Sequence, residues 1–355
     1  MREIFKLELK KLYTMPMVYV LALICILFNI FLFWDGVGYF LEGIQNDAKM
    51  LKTDKEQFVN TYTYDSYKAL DLEKIKSYAT WGKQLSVSAR ELLDANYEKL
   101  MVRMDGMSEE EKNSLSFTGA YGLHNFLFGS LFQAMIIEGM ILIGAIVIYS
   151  MHFEINHQTD DLVWCTKNGG RLYFVKLLAS GVFALGMAFV VIAITFFYFF
   201  SMVDYSSVWN SYVSSSFNAA KRVINNLYLV YYPYITWEPM TIAQYFVESL
   251  LLILFIYLFT ILLIGIMAKR IKNSFFVLAS IGSVAVVMHL LSNEIYIPNC
   301  LDYLLKFNPV HLIAKSGYWF MDYAPGDSYP FYELLTLFIW TLGAGLGMKK
   351  VWKNR

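Results

Sequence analysis

Two histidines of the segment HFEINH, His152 and His157, flank Glu154 in an order that resembles the zinc-binding helix of metalloproteases. In that helix the histidines are four positions apart, so that both side chains lie on one face. Here they are five positions apart and do not share a face. The three cysteines are scattered and form neither a CxxC pair nor a disulfide pattern (Cys25, Cys165 and Cys300). We therefore expect no metal site.

Nucleotide and nucleophile chemistry is also missing from the sequence. It contains no GxxxxGK[ST] phosphate-binding loop, no GxSxG motif and no protein-kinase signature. We predict that the chain is not an enzyme, has no catalytic residue and binds no cofactor itself.

Two ionisable residues, Glu138 and His289, lie inside long apolar stretches. Glu138 is seven residues into its stretch, about 10 Å deep at the rise of an α-helix, and His289 is near the outer end of another. Ionisable groups in a membrane are costly and usually functional, so this pair is a candidate proton relay in the transport pathway. The alternative is that Glu138 only hydrogen-bonds to a neighbouring helix. Glu248 and Glu333 lie close enough to the outer interface for their side chains to reach it.

The composition predicts a membrane protein. Hydrophobic residues make up 57% of the 355-residue chain and charged residues 16%, against about 25% charged residues in soluble proteins. The net charge is zero, which argues against a nucleic-acid binder. A spanning helix needs about 20 apolar residues, and six stretches that contain no lysine or arginine qualify: 15–34, 131–150, 177–201, 242–268, 274–292 and 331–348.

The distribution of basic residues predicts the orientation in the plasma membrane. With the N-terminus in the cytoplasm, the cytoplasmic segments are 1–14, 151–176, 269–273 and 349–355. They hold 14 of the 29 basic residues in 52 positions, with 5 of the 29 acidic ones. This is the positive-inside bias, and six spans place both termini inside. The extracellular segments are then 35–130, 202–241 and 293–330.

The segments outside the spans are predicted to be helical or irregular. Residues 1–14 have an amphipathic pattern that favours an elbow helix lying on the inner membrane surface, or else a solvated extension of the first span. Residues 35–130 lack β alternation, and Ser108 with Glu111 predicts a helix start, so we expect a helical extracellular domain. Residues 202–241 form an aromatic extracellular loop, and 293–330 form short helices or a re-entrant segment. The fold class is therefore an all-α polytopic membrane protein.

Residues 151–176 are the most informative segment. An apolar stretch, Leu162 to Trp164, stands in an otherwise polar loop that returns to the membrane after Gly169 and Gly170. Such a loop suits docking onto a soluble partner, with Asp160, Asp161 and Arg171 as a charged rim. An ordinary solvated hairpin is the alternative.

The sequence resembles the permease subunits of bacterial ABC-2 type transporters. The likeness is carried by FKLELKKLYTMP before the first span, by FEINHQTDDLVWCTKNGGRLYFVKLLAS after the second, and by Asn308-Pro309. It implies an elbow helix, six spans and a coupling helix that docks on a separate ATP-binding subunit. The implied ATPase-coupling residues are Glu154, Thr159, Asp160, Asp161, Leu162, Trp164, Gly170, Arg171 and Lys176.

The resemblance implies an ATP-driven exporter. ATP and Mg²⁺ would be bound by the partner subunit, and the permease would pair with a second copy or a homologous permease in the lipid bilayer. The outer segment 35–130 is longer than in minimal exporters, which favours a peptide, antimicrobial or other amphipathic compound as cargo. Two alternatives stay open: a proton-coupled secondary transporter that uses Glu138 and His289, and a membrane-bound peptide sensor or immunity protein.

Overall fold

The computed structural model describes residues 2–38, 41–43, 45–46, 49, 71–73, 76–77, 85–114, 120–159, 169–216, 235–294, 300–321 and 330–353. In this part of the chain the structure is mostly helical, and extended segments pair only at two isolated β-bridges. The predicted all-α class is confirmed for these residues.

The helices follow one another along the described part of the chain. They are α1 (Arg2–Tyr13), α2 (Pro16–Val37), α3 (Val87–Asp105), α4 (Glu109–Asn113), α5 (Ala120–His124), α6 (Phe132–Asn156), α7 (Gly169–Met202), α8 (Ile242–Arg270), α9 (Ser274–His289), α10 (Cys300–Lys306), α11 (Pro309–Ala314) and α12 (Tyr332–Lys353). A π-helical segment, Asn125–Leu131, joins α5 to α6 without a break, and a second one, Leu290–Glu294, extends α9.

Five helices are long and apolar enough to cross a membrane. They are Pro16–Val37, Gly122–Asn156, Leu172–Met202, Ile242–Arg270 and Ser274–Ser292. The protein is therefore a multi-pass membrane protein by the length and composition of its helices. Helix α12 has 22 residues but carries Glu333 in its first turn and three lysines near its end, and it is not among the five. The sixth span stays a prediction.

The second spanning helix is much longer than the predicted 131–150. Its apolar part runs from Gly122 to Asn156, 35 residues, because the π-helical segment continues it into what the sequence suggested was an extracellular connection. Consecutive side chains of that segment are buried, among them Phe126, Leu127 and Phe128. Helix α6 is central to the bundle and contacts α2, α7, α8 and α9.

Four of the segments predicted to be cytoplasmic meet at one end of the bundle, the inner end. Helix α1 packs along the start of α7. His152, near the end of α6, hydrogen-bonds to the Ala268 carbonyl at the end of α8 and to Ser274 at the start of α9. Near the end of α12, Gly347 approaches Ile266. The structure thus groups these segments as the basic-residue distribution predicts, while their cytoplasmic placement stays a prediction.

The predicted extracellular segments meet at the opposite, outer end. Helix α3 begins with Ser86, whose hydroxyl accepts a hydrogen bond from the Ala89 amide, and buries Leu93, Tyr97 and Leu100. Ser108 caps α4, as predicted. The Glu111 carboxylate does not return to this cap; it forms a bidentate ion pair with Arg103, whose Nε donates to the Thr236 carbonyl at 3.0 Å. This contact ties the outer helices to the segment before α8.

Candidate functional site

Three polar side chains meet inside the membrane-spanning part of the bundle, and we call them the membrane polar cluster: Asn29 of α2, Glu138 of α6 and Thr195 of α7. The Asn29 Nδ2 donates to the Glu138 Oε2 at 2.8 Å and to the Thr195 Oγ1 at 3.1 Å. All three side chains are buried. One amide therefore bridges three helices at a depth where water is not available to satisfy polar groups.

The sequence pattern of α2 explains why Asn29 points into the bundle. The buried residues of this helix recur every three or four positions and form one stripe: Val18, Ala22, Cys25, Asn29, Phe33 and Val37. The opposite face is exposed along the whole helix. Asn29 thus occupies a core position of an apolar seam, and only a partner on another helix can satisfy it.

A tyrosine from a fourth helix closes the other side of the cluster. Tyr257 of α8 donates its hydroxyl to the Met135 carbonyl at 2.8 Å. It fits because residue 139 is glycine: a Cβ there would lie 2.1 Å from the Tyr257 Oη. Gly139 directly follows Glu138, so the close approach of α8 is built into the helix that carries the acid.

The proposed relay partners Glu138 and His289 are not brought together. Glu138 has its hydrogen bond with Asn29 and none with His289, whose side chain is exposed on α9. The prediction for Glu333 also needs correction. Its side chain does not reach outward but is 2% exposed, because its carboxylate accepts a hydrogen bond from the Phe320 backbone amide at 2.6 Å.

A second group, the inner ionic cluster, consists of Glu8, Lys11, Glu154 and Lys176. The Lys11 Nζ is 2.8 Å from Glu8 and 3.3 Å from Glu154, and Lys176 pairs with Glu154 and lies 3.9 Å from Glu8. Lys176 also donates to the Ser150 carbonyl at 3.0 Å. The cluster joins α1 to the end of α6 and the start of α7, and its four charges sum to zero.

The cluster is largely removed from water. The Lys176 side chain is 2% exposed, which is rare for a lysine unless it is paired. Both amines lie over the Phe153 ring, that of Lys11 at 4.7 Å and that of Lys176 at 5.9 Å from the centroid. Burial lowers the pKa of Lys11, but hydrogen bonding and attraction to Glu8 and Glu154 outweigh it and raise the pKa of Lys11 above its ordinary value.

The two histidines of HFEINH have separate roles. His152 is buried, with Nε2 2.9 Å from the Ala268 carbonyl and Nδ1 2.8 Å from the Ser274 hydroxyl. A carbonyl only accepts, so Nε2 donates and Nδ1 accepts from Ser274. His157 is exposed and stacks on Phe153 with ring centroids 4.2 Å apart. The pair that resembled a zinc motif is divided between a helix joint and the surface.

The residues assigned to ATPase coupling fall into three groups. Glu154 and Lys176 belong to the inner ionic cluster. Thr159 follows α6, and its amide donates to the Glu154 carbonyl at 2.9 Å. Gly170 and Arg171 lie in the first turn of α7. The remaining four, Asp160, Asp161, Leu162 and Trp164, lie outside the described residues.

An open cavity of about 640 Å³ lies at the outer end, beside the end of α7. Aromatic side chains form one part of its lining (Phe200, Tyr205 and Trp209), and charged or amide groups form another (Gln45, Lys49 and Asp204). A lining of this mixed kind suits an amphipathic ligand better than a purely polar one.

Sequence reasoning missed Asn29, Thr195, Glu8 and Lys11. An amide in the middle of a twenty-residue apolar run was the available signal for Asn29. Glu8 lies on the buried side of α1 with Leu12, and it was hidden in a helix whose other charges face outward. A scan against protein-family models matched none of them, and searches among curated proteins and solved structures gave no match.

Proposed function

We propose that the chain is the permease subunit of a bacterial ABC-2 type exporter, driven by ATP hydrolysis on a separate subunit. The observation that carries the proposal is the inner ionic cluster. It fixes an N-terminal helix, α1, against both helical ends of the segment 151–176. An elbow helix linked in this way to a partner-docking loop is the arrangement that the sequence resemblance implies.

The geometry gives the docking segment a mechanical role. Glu154 is near the end of α6 and Lys176 is in the second turn of α7, so their ion pair sets the separation of the two helices that the loop connects. A partner that pushes on the loop would move α6 and α7 together with α1. The apolar side chain of Trp164 is the proposed anchor in a groove of the ATPase.

The proposed cargo is a peptide, an antimicrobial or another amphipathic compound. The cavity lined by Trp209, Lys49 and Asp204 supports this class, because it offers aromatic surface beside charges of both signs. The bundle also leaves apolar faces exposed on α2, α9 and α12. Lipid and a second permease copy would cover those faces in the proposed assembly.

The partner test uses the tagged full-length chain in its native membrane. Recovery of an ATP-binding protein is expected, and Trp164→Ala should reduce it by about thirtyfold in affinity, the loss that follows from removing an anchor worth about 2 kcal/mol. Trp209→Ala at the outer end is the matched control and should leave recovery unchanged. Unchanged recovery with Trp164→Ala would remove the coupling assignment of this loop.

A second candidate is a proton-coupled secondary transporter, which the burial of Glu138 in the membrane polar cluster favours. The purified chain in liposomes distinguishes the two. Movement of cargo down a proton gradient without any ATPase would support the secondary transporter and refute the permease proposal.

The six-span topology is tested with the native cysteines. An impermeant thiol reagent applied to intact cells is expected to modify Cys300 and not Cys165. Labelling of Cys165 under the same conditions would place the segment 151–176 outside and overturn the orientation.

A further inference from the structure

We propose that Glu138 is a proton-binding site whose occupancy controls the packing of α2 against α6 and α7. The inference goes beyond the transport proposal, because it concerns this chain alone and holds whatever energy source drives it. It also differs from a relay with His289, since the group that answers to the proton is Asn29.

The first argument is the lack of a counter-charge. The elements packed around Glu138 present Cys25 and Asn29 from α2, Thr195 from α7 and Tyr257 from α8. None of these groups is basic, and Tyr257 already donates its hydroxyl to the Met135 carbonyl. A carboxylate buried in a membrane is costly unless it is neutralised, and among the described contacts of Glu138 only a proton can neutralise it.

The second argument is that a free oxygen is available for the proton. Asn29 donates to the Glu138 Oε2, whereas Oε1 takes part in no hydrogen bond among the described residues. The residue is 8% exposed, so it is not fully sealed. A proton can therefore be added at Oε1 while the bond between Asn29 and Oε2 remains.

The third argument concerns Asn29, which can support the neutral acid better than the anion. Its Nδ2 serves two acceptors, and its Oδ1 is buried without a hydrogen-bond partner in the described structure. One neutral amide shared between two oxygens offers little compensation for a full negative charge. Ionisation of Glu138 consequently favours entry of water into the seam, and the seam is where α2 holds to the bundle.

Helix α2 is the element that can yield. In its apolar window 28% of the residues are buried, against 67% for the helix that carries Glu138. A single stripe of α2 makes its contacts, with Asn29 in the middle of the stripe. Loss of the proton at Glu138 should therefore separate α2 from α6 and α7 while the rest of the bundle stays assembled.

The experiment uses Cys25, which is buried one helical turn before Asn29, as a reporter in the full chain with Cys165→Ser and Cys300→Ser. Maleimide labelling is measured from pH 6 to pH 9 in nanodiscs, with and without Glu138→Gln, which mimics the protonated acid. The thiol's own titration cancels in the ratio of the two rates. We expect this ratio to rise with pH, by up to about tenfold per unit for release of one proton.

Controls exclude a simple charge effect. A negative charge at Glu138 disfavours the Cys25 thiolate, so by itself it would lower the ratio as the pH rises. Glu248→Gln, a change at an exposed acid of α8, should behave like the unsubstituted reporter chain. A ratio that stays constant or falls with pH overturns the proposal.

Infrared spectroscopy provides a reading that does not depend on labelling. At pH 6 the reporter chain should show a carboxylic-acid carbonyl band that is absent in Glu138→Gln and present in Glu248→Gln and Glu333→Gln. Should Glu138→Gln fail to fold, the band that persists in the other two variants and disappears on raising the pH identifies the site. Absence of any such band overturns the assignment.

Discussion

Removal of the Lys176 amine should destabilise the protein strongly, because it leaves the inner ionic cluster with an uncompensated charge. Glu8 and Glu154 would then face Lys11 alone, and the net charge of the cluster would change from zero to minus one. Breaking a buried pair by removing one partner costs about 3–5 kcal/mol. Water reaches Lys11 and Glu154 in part, since their side chains are 36% and 13% exposed, so we expect the lower value.

The assay is reversible unfolding of the purified chain in mixed micelles, followed by tryptophan fluorescence. Lys176→Met should shift the unfolding equilibrium by about a hundredfold, which corresponds to about 3 kcal/mol. Lys6→Met is the matched control. Lys6 pairs with Glu3 on the same helix, but both side chains are exposed, 57% and 79%, and such pairs contribute about 0–0.5 kcal/mol.

A double substitution tests the physical cause. Adding Glu154→Gln to Lys176→Met returns the cluster to zero net charge and leaves the pair between Lys11 and Glu8, so the double variant should be more stable than Lys176→Met alone. If the double variant were less stable than either single one, the loss would come from packing around Lys176 and the electrostatic reasoning would be refuted.

Two further predictions concern packing and the outer end. Gly139→Ala should displace Tyr257 and cost about 2 kcal/mol, since overpacking of a filled core costs about 1–3 kcal/mol; the unfolding assay measures it, and Gly186→Ala, where a Cβ meets nothing within 4 Å, should cost nothing measurable. Arg103→Met should leave the buried Glu111 without its cation and loosen the outer helices, by about 3 kcal/mol. Limited proteolysis should then cut between residues 85 and 114 faster than in the parent chain, and an unchanged rate would show that Arg103 does not hold this region together.

The spanning helices were largely predictable because their signal is local. Pro16 marks the start of α2, and the apolar run that follows fixes the rest. The start at Ser274 and end at Ser292 of another span were predicted to the residue. Where prediction failed, composition was mixed: the aromatic segment 125–131 reads as an interface connection, yet it continues the second span as π-helix.

The candidate site was only half predictable, because its bonds join residues far apart in the chain. Asn29 and Glu138 are 109 positions apart, and Lys11 and Glu154 are 143 apart. Local pattern identified Glu138 and Glu154 as unusual residues. It could not identify their partners, since an exposed lysine and a buried one have the same side chain until the helices around them are packed.

The π-helical segment before α6 has a consequence for how this protein can change over evolutionary time. A π-helix contains one more residue per hydrogen-bonded turn than an α-helix. Deleting one residue between 125 and 131 would allow ordinary α-helix to form and would rotate everything before it by about 100° relative to α6. The contact of Gly129 with Gly317, where a Cβ at 317 would lie 3.0 Å from the Gly129 Cα, could not survive that rotation. Single-residue insertions and deletions should therefore be tolerated in the connections at the outer end but eliminated by selection within these seven positions.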